Sequence, residues 1–196
     1  MLPRLTAKAR VAAMTITPDT KNWTWVLERP CPECGFEAGA VAPEEIPGLL
    51  RDNAEAWRAL LAAGVVAGAD GLRTRPEPAK WSPLEYACHV RDCCEVYLGR
   101  VSMMLEQEDP QYPNWDQDET ALAENYNAQD PEQVLAALVA NAEQLAERFA
   151  EVAGEQWQRT GHRSDGSDFT IDTLARYFIH DPIHHYWDVT GRRYES

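Results

Sequence analysis

Apolar residues recur at helical intervals of three and four in four blocks, each bounded by residues that start or stop helices. The first spans about 44–63, where Leu49, Leu50, Trp57, Leu60 and Leu61 form a stripe interrupted by Asn53. The second, 82–106, opens on Ser82-Pro83-Leu84-Glu85, a capping box with proline at the first helical position. Its inner residues are Tyr86, Val90, Cys93, Tyr97, Val101 and Met104. The third, 130–153, starts at Asp130-Pro131, turns Val134, Leu138, Leu145 and Phe149 inward, and ends at Gly154. The fourth, 170–189, starts at Thr170 and stops before Gly191. No strand pattern of comparable length appears, and Trp23–Leu27 can pair or simply pack. The pattern predicts an all-α domain, a four-helix bundle. The connection 107–129 is long, acidic and aromatic. Connections of that length usually carry function, and this one can cross the end of the bundle, so the second and third helices need not be antiparallel.

Composition narrows the setting. A chain of 196 residues, 44% hydrophobic, suits one domain. Its 18 basic and 32 acidic side chains give a net charge of −14, which repels phosphate backbones and anionic lipid. Neither nucleic acid nor a membrane is an expected partner; a small-molecule substrate is. The longest uncharged apolar run, Ala59 to Ala69, falls well short of the roughly 20 residues a spanning helix needs. The expected organisation is an arm over 1–43, the bundle over 44–191 and a short tail over 192–196. Met1–Ala13 is basic and without acids, and reads as a loose arm or as an upstream start with Met14 as the natural first residue. Five cysteines and no apolar leader point to free thiols in the cytoplasm. An apolar bundle face is compatible with a homodimer.

The candidate chemistry lies in the histidines. His180 and His184 stand one turn apart on the fourth helix, in a seam with Tyr177 and Trp187. His89 lies two turns into the second helix, beside its inner stripe. Buried imidazoles without partners cost roughly 1–3 kcal/mol each. One divalent cation held by His89, His180 and His184 satisfies all three and keeps an open position for water or a thiol sulfur; three separately hydrogen-bonded core histidines are the alternative. Asp188, four residues beyond His184, is placed to accept a ring N–H and fix a tautomer. His185 points away from the pair and His162 lies in a loop. Trp115 in the crossover and Tyr177 in the seam are candidate pocket residues, with simple packing as the other reading. Pro182 either splays the histidine pair or is a tolerated kink.

Cys31-Pro32-Glu33-Cys34-Gly35-Phe36 looks like half of a zinc knuckle, and no second such cysteine pair exists. Cys31 and Cys34 are therefore a structural turn with free thiols, a reversible disulfide, or part of a metal contact completed elsewhere.

Two motifs carry a family resemblance. Trp81-Ser82-Pro83-Leu84-Glu85, continuing to His89, resembles the W-S-x-x-E-x-x-x-H signature of DinB-like proteins, and His180 to His185 resembles their H-x-x-x-H-H motif. The family is similar in fold to the mycothiol-dependent maleylpyruvate isomerase amino-terminal domain and to bacillithiol transferases. The resemblance implies an up-down-down-up four-helix bundle with a long crossover between helices two and three. It also implies a divalent metal, zinc or nickel, on His89, His180 and His184, and thiol-dependent S-transfer or isomerisation of a small electrophile with a low-molecular-weight thiol as cosubstrate. A metal- or ligand-binding stress protein without turnover is the rival expectation, since fold does not fix function.

Overall fold

The computed structural model describes residues 22–195; the Met1–Ala13 stretch and the alternative start at Met14 lie outside them. Six helices follow in chain order: α1 (Ile46–Val66), α2 (Asp70–Arg73), α3 (Pro83–Glu106), α4 (Gln117–Ala123), α5 (Pro131–Ala150) and α6 (Ile171–Thr190). The four long ones are the four periodic blocks. Their ends lie where local chemistry puts them. The Ser82 hydroxyl accepts the Glu85 amide at 3.3 Å while the Glu85 carboxylate accepts the Ser82 amide at 2.8 Å. Asp130 accepts the amides of Glu132 and Gln133, and Thr170 that of Thr173. Gly191 ends α6 with φ +68°, a left-handed conformation that favours glycine.

Leu50, Trp57 and Leu61 of α1 meet Leu84 and Met104 of α3, Leu138 and Phe149 of α5, and Phe178 of α6 in one buried core. Each such side chain contributes about 1.5–3 kcal/mol on leaving water. Contacts between helices set their directions. His89 faces His185, and Tyr97, two turns on, faces Phe178, so α3 and α6 are antiparallel. The Asn141 amide donates to the Arg91 carbonyl and Arg148 donates to Ser102, so α3 and α5 are parallel. Asn53 and Trp57 both donate to the Pro182 carbonyl, and Trp57 packs on Tyr186, so α1 and α6 are parallel. The order is up-down-down-up. The polar interruption in the α1 stripe thus has a partner, and α6 runs on through Pro182.

The crossover from α3 to α5 is not structureless. It contains β1 (Gln111–Tyr112) and α4, and β1 joins β2 (Thr160–Arg163) and β3 (Asp168–Thr170) in a small sheet ordered β1-β2-β3. The β1–β2 pairing is parallel and β2–β3 antiparallel. Gly161 is needed there: a Cβ would stand 2.8 Å from Met104 and 2.9 Å from Tyr112. The segment before α1 is ordered too. Trp23–Leu27 forms a turn of 3₁₀ helix, and Val26, Cys31, Cys34, Phe36 and Ala38 are buried against the bundle. Arg176 of α6 donates to the Gly39 carbonyl at 2.7 Å. The tail closes over the cysteine turn, with Tyr194 N donating to Cys34 O and Arg193 to Pro32 O, both at 2.8 Å. No helix among the described residues is long and apolar enough to cross a membrane.

Candidate metal centre and pocket

The antiparallel contact of α3 and α6 places the α3 histidine among the α6 polar residues, under the crossover and beside the amino-terminal segment. A cavity of about 530 Å³ opens there, lined by His89, His180, His184 and His185 together with Trp23, Trp81, Trp115 and Tyr177. Its volume suits a small molecule. His89, His180 and His184 are all buried.

The metal-binding donors fall into two sets. Cys31, Cys34, His180 and His184 each bring one donor atom to within 4.8 Å of the others; His89, Cys93 and Asp181 form a second set on the same criterion. His89 therefore does not share a set with His180 and His184. Instead its Nε2 lies 3.1 Å from Asp181 Oδ1, and its ring stacks on Trp115 at 5.3 Å and 4°. Burial opposes ionisation of Asp181, but His89 and His185 beside it hold its carboxyl well below the usual carboxylate range. The Asp181 carboxylate accepts a hydrogen bond from His89 Nε2–H, and His89 Nδ1 is buried without a hydrogen-bond partner. Cys93 lies at the same place, and burial pushes its thiol well above the ordinary range.

On α6, His180 Nε2 is likewise buried and unpartnered. Burial and the facing His184 ring push the His180 pKa down to about 4, so at neutral pH it is a neutral ligand. Burial lowers His184 as well. Its Nδ1 faces Cys31 Sγ at 3.6 Å, and its Nε2 is 3.8 Å from Asp188 and from Glu33. The closer partner of Asp188 is His185, whose Nδ1 is 2.9 Å away. The Trp23 ring covers both imidazoles, at 5.6 Å from His180 and 5.1 Å from His184. Soft sulfurs and neutral imidazole nitrogens, two of each and one nitrogen orphaned, are a donor set that fits a divalent metal.

Sequence reasoning did not connect His89 to Asp181 and His185, because that pairing depends on the rotation of α6 against α3. His185 touches the His89 ring at 4.8 Å and the Tyr86 ring at 4.9 Å, so it belongs to the pocket wall. His162 lies not in a loop but in β2, where it pairs with Asp168 at 2.6 Å and Asp109 at 3.3 Å, which raises its pKa, the Asp168 hydrogen bond foremost. Trp115 and Tyr177 both line the cavity. Arg100 also reaches it. It is 4% exposed, its Nε has no hydrogen-bond partner, and it lies over the Tyr97 and Tyr112 rings.

A bundle with parallel middle helices and a histidine-lined pocket between the second and fourth defines the class. The chain belongs to the DinB superfamily, whose family model matches residues 50–189. No curated protein matches it. Among solved structures it is similar to YfiT from Bacillus subtilis, described as "a probable metal-dependent hydrolase with an unusual four-helix bundle topology". The two share 20% identity over 86% of this chain and 82% of that one, with a TM-score of 0.59, a likeness of fold.

Proposed function

We propose that this protein is a divalent-metal-dependent enzyme that acts on a small electrophile in the histidine-lined cavity, with a low-molecular-weight thiol as cosubstrate and S-transfer or isomerisation as the reaction. The observation that carries the reading is the buried, unpartnered His180 Nε2, beside His184 on the wall of a cavity of about 530 Å³. His180 and His184 hold the metal. A divalent cation with a position open to the cosubstrate would stabilise its thiolate near neutral pH.

The protein's own groups supply the rest. Asp181 fixes the His89 tautomer, so Nδ1 is the proton acceptor and later the donor. Trp115, stacked on His89, and Trp81, 5.3 Å from it, keep water from that ring. Arg100 faces no carboxylate within ion-pair distance among the described residues, and a buried guanidinium without one is costly. A carboxylate on the substrate would provide that partner, so anionic electrophiles are favoured.

Hydrolysis is a second reading, favoured by the fold likeness to YfiT. Thiol consumption measured against a panel of electrophiles, with and without chelator, tests the proposal, with ester and amide hydrolysis as a parallel arm. Thiol-dependent turnover lost on chelation and restored by added metal is the expected result. Turnover indifferent to chelation overturns metal dependence, and hydrolysis without thiol assigns the second reading. Metal binding with no turnover on any arm returns the protein to a non-catalytic binder.

A further inference from the structure

We propose that Cys31, Cys34, His180 and His184 bind one zinc ion in a closed tetrahedral site that clamps the amino-terminal segment onto α6. This rests on the reading that a divalent metal binds at His180 and His184; it names the remaining ligands and removes His89 from them. The four donor atoms lie within 4.8 Å of one another, and all four residues are buried. Bonds of about 2.3 Å to sulfur and 2.0–2.1 Å to nitrogen at the tetrahedral angle set the two ligand atoms about 3.5–3.6 Å apart. Cys31 Sγ and His184 Nδ1 are 3.6 Å apart. The unpartnered His180 Nε2 gains the bond it lacks.

The cysteine turn is built as such sites require. Gly35 N donates to Cys31 O and Cys31 N donates to Phe36 O, both at 2.9 Å. Gly35 takes φ +81°, which brings the chain around tightly enough for both sulfurs to face one point. Burial pushes the Cys34 thiol up to about 12, and the Phe36 amide that hydrogen-bonds its sulfur works against that rise. The Nε2 side of His184 faces the carboxylates of Asp188 and Glu33 at 3.8 Å, which supports its use of Nδ1 as the ligand. Two sulfurs and two imidazoles in tetrahedral array select zinc over nickel, which prefers square-planar nitrogen and oxygen.

Four protein donors leave no open position, the mark of a structural zinc, so with this ligand set the metal dependence of the proposed reaction comes from the order the ion imposes on the pocket, and the cosubstrate thiol is not activated on the ion. The ion then orders the segment that carries Trp23 over the pocket, and the proton chemistry of the cavity falls to His89 and Asp181.

The test uses the full chain purified without chelator. Elemental analysis should find one zinc per chain. Replacement by Co(II) should give thiolate-to-cobalt charge-transfer bands in the near ultraviolet and tetrahedral bands in the visible. His89→Gln should keep both the stoichiometry and the spectrum. Cys34→Ser should weaken Co(II) binding by more than the roughly 10–100-fold typical of changes outside the ligand shell. The wild-type cobalt spectrum decides even where that variant folds poorly. A cobalt spectrum without thiolate bands, or metal lost from His89→Gln, overturns this ligand set and leaves metal dependence standing. A chain that takes up neither zinc nor cobalt overturns both.

Discussion

The ion pair at the start of α3 offers a test of the fold that is independent of any metal. The Glu85 carboxylate receives Arg75 Nε at 2.8 Å and Arg75 Nη2, and also the Ser82 amide at 2.8 Å. The two side chains are only 9% and 5% exposed, Arg75 and Glu85 respectively. Glu85→Gln keeps the shape and leaves an oxygen for the Ser82 amide, so the helix cap survives. What it removes is the charge opposite a buried guanidinium. Stranding one partner of a buried pair costs about 3–5 kcal/mol. For a chain of this size each kcal/mol lowers Tm by about 2–4 °C, so Tm should fall by about 6–20 °C. Urea unfolding at pH 7 measures the loss directly, and an unchanged m-value shows that the native and unfolded ensembles are comparable. In the Glu85→Gln background, Arg75→Met should recover much of the loss, because a pair replaced by well-packed apolar groups is often neutral. A loss below about 1 kcal/mol, or purely additive effects of the two substitutions, would refute the reasoning.

The same pair predicts a pH dependence. Burial opposes ionisation of Glu85, but the Arg75 hydrogen bond outweighs it with help from Ser82, and the folded-state pKa is lowered from 4.5. The unfolded chain therefore binds the proton more readily. The stabilisation is complete above the unfolded value and is lost as the pH falls through the lower, folded one. Wild type should lose stability from about pH 4.5 downward more steeply than Glu85→Gln, by urea midpoints measured at stepped pH.

Three further outcomes are expected. Gly39→Ala sets a Cβ against the Leu27 carbonyl oxygen, a backbone atom that cannot swing aside, at a cost of about 1–3 kcal/mol. Faster hydrogen exchange over the Cys31–Phe36 turn, with α5 unchanged, is the readout, and unaltered exchange in the turn counts against the packing described. Burial pushes the Cys88 thiol up to about 12 and raises Cys94 as well; a thiol-specific dye at pH 8 should leave both unlabelled until the protein unfolds, and prompt labelling would mean that α3 opens in the native state. Trp115→Ala removes the stack on His89 and the hydrogen bond to Thr120. Once an activity is in hand it should lower kcat/KM by up to about 100-fold with metal content unchanged; full activity would take Trp115 out of the pocket's function.

The helices were legible because their signals are local. A capping serine and its glutamate are three residues apart, an inner stripe repeats within one turn, and Gly191 stops α6 where a left-handed residue is required. The small sheet was not, since strands of two to four residues are too short to show a period. Helix directions are fixed by contacts such as Asn53 to the Pro182 carbonyl, which no spacing in α1 announces. The candidate centre showed itself only in separate halves, for a related reason. Both of its halves have recognisable spacing, Cys-x-x-Cys and His-x-x-x-His, but a compact finger separates such halves by about 12–15 residues. Here Cys31 and His184 are 153 positions apart. That distance matters to a pattern and little to a folded protein. Loop-closure entropy grows only as the logarithm of loop length, about 0.6 kcal/mol per doubling, and the bundle has already closed the loop by packing α6 against α1 and α3. A ligand set assembled from the two ends of the chain is therefore no harder to form than one written in a single turn. It lies beyond any reading that searches for ligands only near one another in sequence.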